Sequence, residues 1–196
     1  MKTFHLMGPA PYYTNSFVLC SEAGNALAVD PVAAPAYYQK ALDQAGAKLR
    51  YILLTHGHFD HTGTLEELKK ATGAQVVAAG EDLKGSRLFP VASADLLLKD
   101  EMLLELDELK IRCWHTPGHT PGSYCFLCGD LFITGDTLFA GSIGRTDLEG
   151  GSYPEMEKSL ARLLSLPVPD QAQVLPGHGE FSTFGREKKT NGFLQF

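Results

Sequence analysis

A short apolar run, Tyr51 to Leu54, leads directly into a segment that packs three histidines and one aspartate into six positions. These side chains belong to His56, His58, Asp60 and His61. The apolar run predicts a buried strand, and Gly57 predicts that the chain turns into a loop where this strand ends. A loop at the end of a sheet holds its side chains on a rigid scaffold and leaves them open to solvent. Because imidazoles and carboxylates are common metal ligands, the segment predicts a metal site.

The pattern of apolar residues predicts an alternation of strands and helices. Helical spacing and capping residues predict helices over 35–45, 65–72 and 153–164. Short apolar runs between turn residues predict strands at 17–20, 26–30, 49–55, 75–79, 96–98, 102–104, 109–115, 123–128, 131–134 and 173–175. The strands need helices on their outer faces, so the predicted fold class is a layered α/β sandwich. Since we find no linker, residues 1–196 are predicted to form one domain.

The composition restricts the class of partner. The chain has 196 residues, of which 44% are hydrophobic, and this is enough for a substantial core. A net charge of -6 without any block of lysines or arginines argues against a nucleic-acid groove and against an anionic membrane surface. The sequence contains no apolar stretch of membrane-spanning length and no secretory signal, so we expect a cytoplasmic protein that acts on a small molecule.

Cys125 and Cys128 have the spacing of a redox or zinc-binding pair. They lie, however, in the predicted strand at 123–128. Residues three apart in a strand point to opposite faces, so the two thiols are expected to lie apart. We interpret them as buried structural cysteines, with the redox or zinc pair as the alternative.

Three further polar residues stand among glycines directly after predicted strands. They are His119, Asp136 and His178. Each alone is also consistent with a loop histidine or a turn residue. Together with the cluster at 56–61 they predict ligands that meet at one edge of the sheets. Nitrogen and oxygen ligands leave coordination positions open, so the predicted metal is zinc, with iron or manganese as alternatives.

The whole set resembles the ligand pattern of the metallo-β-lactamase superfamily. The resemblance implies an αββα four-layer sandwich and two divalent metal ions. It assigns one metal to His56, His58 and His119, the second to Asp60, His61 and His178, and the bridge between them to Asp136. Two cations about 3.5 to 4 Å apart share a hydroxide and polarise the bond that it attacks. Asp30 resembles the superfamily's acidic residue that orients a metal-bound histidine, and Thr55 is a candidate support for the ligand loop. For both residues, an ordinary turn or strand end is the alternative.

Three segments narrow the resemblance to glyoxalase II and its relatives. These are the runs at 134–139, 144–147 and 155–160. They imply a thioester hydrolase acting on S-lactoylglutathione or a related acyl-thiol, with Asp60 and Asp136 as catalytic residues. In this interpretation Asp60 guides the proton of the nucleophile while remaining a ligand, and Arg145 binds a substrate carboxylate. An ion pair between Arg145 and Asp147 is the alternative. Asp136 also argues against an antibiotic-hydrolysing β-lactamase, because those members usually have Cys or His on the second metal.

Other functions remain open at this point. Glyoxalase II proper has an additional C-terminal helical region that grips glutathione, whereas this chain ends soon after His178, as compact bacterial relatives do. Persulfide dioxygenases share the ligand pattern and use a single iron, so a mononuclear-iron dioxygenase is the alternative function. A metal-binding protein without catalysis is a weaker alternative. The sequence leaves the acyl group, the thiol and the oligomeric state undetermined.

Overall fold

Two six-stranded sheets pack face to face in the computed structural model, which describes residues 1–195. The first sheet has the order β1 (Lys2–Met7), β2 (Asn15–Cys20), β3 (Asn25–Val29), β4 (Lys48–Leu53), β5 (Gln75–Ala78) and β6 (Leu96–Leu97). The second has the order β14 (Ser182–Thr183), β13 (Gln173–Pro176), β10 (Leu131–Gly135), β9 (Tyr124–Cys128), β8 (Leu109–His115) and β7 (Leu103–Leu106). A separate hairpin contains β11 (Leu138–Phe139) and β12 (Ser142–Ile143). The helices are α1 (Pro35–Ala45), α2 (Leu65–Thr72), α3 (Tyr153–Ser165) and α4 (Phe184–Thr190).

The sheets are mixed, and their parallel pairs direct the ligand loops to one edge. β3, β4 and β5 are parallel neighbours in the first sheet, and β10 and β13 are parallel in the second. The segments that follow β3, β4, β10 and β13 carry Asp30, the cluster at 56–61, Asp136 and His178. Ligands in open sheets of this kind bind beyond the carboxyl ends of the strands.

Alternating burial along the strands separates the core into layers. In β2, Phe17 and Leu19 pack between the two sheets, whereas Val18 and Cys20 face α1 and α2. On the other outer face, the apolar side of α3 packs against the second sheet through Met156. Strands covered on both faces contain continuous apolar runs, which is why the sequence pattern detected them. The helix, sheet, sheet, helix order confirms the predicted αββα sandwich.

Helix ends follow the predicted capping residues. Gly46 adopts the left-handed conformation, with φ 65°, directly after α1. Such a residue ends a helix at little steric cost when it has no Cβ. The Ser152 hydroxyl accepts a hydrogen bond from the Glu155 backbone amide at the start of α3. Only the serine half of a capping box is therefore present, because the Ser152 amide donates to the Gly118 carbonyl and not to the Glu155 side chain.

The two cysteines of the C-x-x-C sequence lie on opposite faces of β9. Cys125 packs on the side of α3, and Cys128 packs between the sheets. Burial raises the pKa of each thiol to about 11. Both groups are therefore neutral thiols at physiological pH, and the interpretation as structural cysteines is confirmed.

Several elements differ from the predictions. β1 was not predicted, because it is an edge strand whose side chains remain largely exposed or half-buried. The strand predicted at 49–55 ends at Leu53, although Leu54 still donates its amide to the Val77 carbonyl at 3.0 Å. The two-residue strands of the β11–β12 hairpin and β14 are too short to show a periodic pattern. Within residues 1–195, no helix is both long and apolar enough to cross a membrane.

Candidate metal centre

The loop after β4 carries the four polar side chains, and the last two of them lie in a single 3-10 turn. His56, His58 and His61 are almost completely buried, with exposed fractions of 2%, 3% and 0%. The turn spans Phe59–His61 and is closed by a hydrogen bond from the His61 amide to the His58 carbonyl. This local winding allows residues that are close in sequence to approach one centre from different sides.

Two groups of side chains each bring their ligand atoms close enough together to hold one metal ion. His56, His58 and His119 form the first group, whose ligand atoms all lie within 4.8 Å of one another. Within this group, His58 Nδ1 lies 2.9 Å from His119 Nε2. The second group contains Asp60, His61 and His178 and satisfies the same limit.

Asp136 lies between the two groups. Its Oδ2 is 3.4 Å from His119 Nε2 of the first group and 3.5 Å from His178 Nε2 of the second. Its Oδ1 is 3.4 Å from His61 Nε2. One carboxylate therefore faces ligands of both groups, which is the position that a bridging ligand requires.

Buried polar atoms indicate that this arrangement is suited to a cation. His56 Nε2 and Asp136 Oδ1 are buried and have no hydrogen-bond partner among residues 1–195. An unsatisfied buried polar atom typically costs about 1 to 3 kcal/mol. A metal ion bound by these atoms would remove that cost, so the donor set fits divalent metals that accept nitrogen and oxygen ligands.

Backbone carbonyls hold the outward-facing nitrogens of two of the imidazoles. His119 Nδ1 donates to the Arg145 carbonyl at 2.7 Å, and His178 Nδ1 donates to the Tyr12 carbonyl at 3.1 Å. Since a carbonyl only accepts, Nδ1 of each ring carries a proton, and the neutral ring therefore keeps its lone pair on the inward Nε2. Sequence reasoning missed these two carbonyls, because the acceptor is backbone and has no residue signature.

Asp30 connects the strand ends beneath the second group. Its carboxylate accepts from His61 Nδ1 at 2.8 Å, from the Thr55 amide at 2.7 Å and from the Thr55 hydroxyl at 2.6 Å. Asp30 adopts φ 49°, a left-handed conformation that is rare outside glycine and is often associated with functional sites. Thr55 also contacts His56, with its Oγ1 3.1 Å from Nδ1. Both candidate supporting residues therefore lie against ligand imidazoles.

Asp82 is a further buried carboxylate that the sequence did not indicate. It accepts from the Gly57 amide at 2.9 Å, from the Thr120 hydroxyl at 2.7 Å and from the Gly122 amide at 2.9 Å. These donors belong to the loops that carry His58 and His119. Asp82 thus ties the two ligand loops together, although nothing in its spacing from them marks it as part of the site.

In the metal-free site, two histidines have lowered pKa values and two have raised pKa values. Burial lowers the pKa of His56 well below its usual value and lowers the pKa of His58 to about 4. Burial also disfavours the charged form of His61, but the carboxylates of Asp136 and Asp30 outweigh this and raise its pKa well above the usual value. For His178, the contact with Asp60 likewise outweighs burial and raises the pKa.

Metal binding to the metal-free protein at pH 7 is expected to release protons. His61, whose pKa is raised well above its usual value, loses a proton when it becomes a ligand, whereas His56 and His58 are already neutral. Affinity should therefore fall as the pH falls, because protons compete with the metal. Titration calorimetry in two buffers of different ionisation enthalpy measures the released protons. Equal heats in both buffers would contradict the assigned protonation.

A cleft of about 740 Å³ opens above the two groups. Its walls are mainly apolar and include Tyr12, Phe59 and Phe139. Arg145 also lines it, but both ends of its guanidinium bond Asp147 at 2.7 Å. The structure therefore contains the ion pair that was the alternative for Arg145.

The C-terminal helix supports one wall of this cleft. Glu187 is buried, and its Oε2 accepts from the Gly141 amide at 2.7 Å and from Asn191 Nδ2 at 3.0 Å. The same Asn191 amide group donates to the Ser142 carbonyl at 3.1 Å. These contacts attach the β11–β12 hairpin, which carries Phe139, to α4.

Comparisons with known proteins agree with this geometry. The family model described as the Metallo-beta-lactamase superfamily matches residues 9–178. Hydroxyacylglutathione hydrolase GloC of Haemophilus influenzae is 32% identical over 199 residues, covering 93% of this chain and 93% of that protein. Among solved structures, the BLEG-1 B3 metallo-beta-lactamase is similar with a TM-score of 0.86 and 30% identity, covering 100% of both chains. TTHA1623 in a di-iron-bound form is similar with a TM-score of 0.83 and 32% identity, covering 97% of this chain and 100% of that one. The chain therefore belongs to the metallo-beta-lactamase superfamily, whose members are typically metal-dependent hydrolases.

Proposed function

We propose that this protein is a dinuclear metal-dependent hydrolase that cleaves thioesters of small acyl-thiols. The observation that carries the proposal is the position of Asp136, a buried carboxylate within 3.5 Å of imidazole nitrogens from both ligand groups. A carboxylate in this position would be a ligand to both cations if two were bound. Sites of this kind supply a metal-bound hydroxide at neutral pH and polarise the carbonyl under attack.

In this proposal the residues divide into two sites. His56, His58 and His119 would hold one metal, and Asp60, His61 and His178 would hold the other, with Asp136 between them. Zinc is the proposed metal, and the nitrogen and oxygen donors also suit iron or manganese. The name of the di-iron-bound TTHA1623 supports two metals and keeps iron among the candidates.

Asp60 is the residue that we propose guides the proton of the attacking water. Burial raises its pKa, but the hydrogen bond with His178 and the charge of His61 outweigh this and lower it below the usual value. Asp60 is therefore ionised at neutral pH, as a metal ligand must be, and its carboxylate oxygens can accept a hydrogen bond from the attacking water. It lines the cleft between Phe59 and the ligand histidines, where apolar walls limit access of water and strengthen electrostatic interactions.

The choice of thioester has two supports. One is the name of the Haemophilus influenzae relative, a hydroxyacylglutathione hydrolase. The other is the resemblance of 134–139 and 144–147 to glyoxalase II. A glutathione-derived thioester is accordingly the first substrate to test. Binding of a substrate carboxylate by Arg145 would require the guanidinium to leave Asp147. The cytoplasmic location and the single domain over 1–196 remain predictions.

The test combines metal analysis with three assays on the purified protein. We expect two metals per chain and turnover of S-lactoylglutathione. One iron per chain, with oxygen uptake on glutathione persulfide, would replace the proposal by the dioxygenase. Because BLEG-1 is named a B3 metallo-beta-lactamase, a cephalosporin is the third substrate, and faster turnover of it than of the thioester would also overturn the proposal.

A further inference from the structure

The catalytic cleft continues into a side pocket that the ligand pattern does not explain. This pocket has a volume of about 550 Å³ and is lined by Tyr12, Phe59, Arg87 and Leu88. Tyr12, Phe59 and Leu88 also line the cleft above the metal ligands. Arg145 lines the cleft but not the side pocket. A molecule held over the metal ligands can therefore extend directly into this second space.

Two aromatic rings form the shared wall. The rings of Tyr12 and Phe59 meet edge to face, with centroids 5.2 Å apart, although 49% and 39% of these residues are exposed. Large exposed rings gain free energy when an apolar part of a ligand covers them. Both are held in place through the site itself. The Tyr12 carbonyl accepts from His178, and the Phe59 amide donates to the Leu88 carbonyl at 3.0 Å.

Arg87 supplies the positive charge of the side pocket. Among residues 1–195, no carboxylate lies within 4 Å of its guanidinium, whereas Arg145 is paired with Asp147. The loop that carries Arg87 is anchored by Phe89, which is completely buried, and by the Ser86 amide donating to the Phe89 carbonyl at 2.8 Å. A planar guanidinium on an anchored loop matches the geometry of a carboxylate.

We propose that Arg87 and the Tyr12–Phe59 pair form a subsite for a carboxylate carried by the substrate, whose apolar part covers the two rings. The inference rests on the proposed function, since it concerns the same cleft. A carboxylate can belong to the acyl group, as in half-thioesters of dicarboxylic acids, or to the thiol, as in a peptide thiol. The shared chemistry is an anionic thioester, and the experiment separates the two sources.

Three thioesters test the subsite on the metal-loaded enzyme. S-lactoylglutathione carries carboxylates on the thiol, S-succinyl-N-acetylcysteamine carries one on the acyl group, and S-acetyl-N-acetylcysteamine carries none. We expect Arg87→Gln to lower kcat/KM about tenfold for at least one anionic thioester, mainly through KM, and at most about twofold for the neutral one. Arg87→Lys should restore part of the loss. Equal losses on all three substrates, or none, would overturn the subsite.

Arg112 provides the matched control. It is an exposed arginine on β8 that does not line the cleft, so Arg112→Gln makes the same change in net charge. This variant should behave as the wild type on all three substrates. A loss equal to that of Arg87→Gln would show a general effect of charge and would contradict a specific subsite.

A binding experiment separates failure of the subsite from failure of the proposed function. If the wild type hydrolyses none of the thioesters, the proposed function fails. The subsite is then tested by calorimetry with 3-phenylpropanoate and the neutral 3-phenylpropanamide. We expect the wild type to prefer the carboxylate and Arg87→Gln to lose that preference. An unchanged preference in the variant would place the carboxylate on the metals and overturn the subsite.

Discussion

Asp136→Ala is expected to lower kcat for thioester hydrolysis by about a thousandfold or more and to reduce metal content from two ions toward one. The carboxylate lies between both groups of ligands, and its removal takes one ligand from each. His61 also loses the partner 3.4 Å from its Nε2. The first group keeps His56, His58 and His119 and should still bind one metal. Steady-state kinetics and elemental analysis of the same preparation measure both effects.

Asp130 provides a control at the other end of β10. It is exposed in the turn before β10, at the opposite end from Asp136. Asp130→Ala should retain two metals and normal turnover. Circular dichroism should show an intact fold for both variants, because neither side chain belongs to the hydrophobic core. Unchanged turnover in Asp136→Ala would contradict the bridging role.

The fold was largely predictable because its main strands are buried on both faces. Runs such as Ala26–Val29 and Leu131–Thr134 contain only apolar residues or a single terminal threonine, so they stand out from the surrounding turns. The pattern of apolar residues fails to predict the strands at the edges of the fold. β1 alternates exposed and half-buried residues beside β2, and its pairing depends on a neighbour rather than on its own composition. The short β11–β12 hairpin depends on contacts from Glu187, which lies far along the chain.

The candidate site was predictable in its residue types but not in its supports. Histidines and aspartates after strands are visible in a sequence, and the structure brings the seven proposed ligands together. The atoms that orient these ligands, in contrast, cannot be recognised from the sequence. The carbonyls of Tyr12 and Arg145 have no signature, and Asp82 joins two loops that are distant in sequence. Arg145 illustrates the limit most clearly, because its backbone supports His119 while its guanidinium pairs with Asp147.

Gly177 offers a second test that removes no ligand. A Cβ at this position would lie 2.5 Å from His61 Cε1 and would also meet the Asp136 carboxylate. The backbone cannot easily move away, because the Gly177 amide donates to the Gly135 carbonyl at 2.8 Å and its carbonyl accepts from the Asn15 amide at 2.7 Å. Gly177→Ala should therefore displace His61 and Asp136 while the first group stays intact. We expect loss of the second metal and a fall in kcat of at least about a hundredfold.

Gly179→Ala separates this steric effect from general strain near His178. Gly179 has φ 79°, so alanine there costs about 1 to 2 kcal/mol of stability, yet among residues 1–195 no atom outside its two chain neighbours lies within 4 Å of the added Cβ. This variant should melt at a lower temperature and still retain both metals and most of its activity. Gly177→Ala is thus expected to damage the metal site, whereas Gly179→Ala is expected mainly to lower the stability of the fold. If Gly177→Ala kept two metals and full turnover, His61 and Asp136 would not need their observed positions, and the dinuclear proposal would lose its geometric basis.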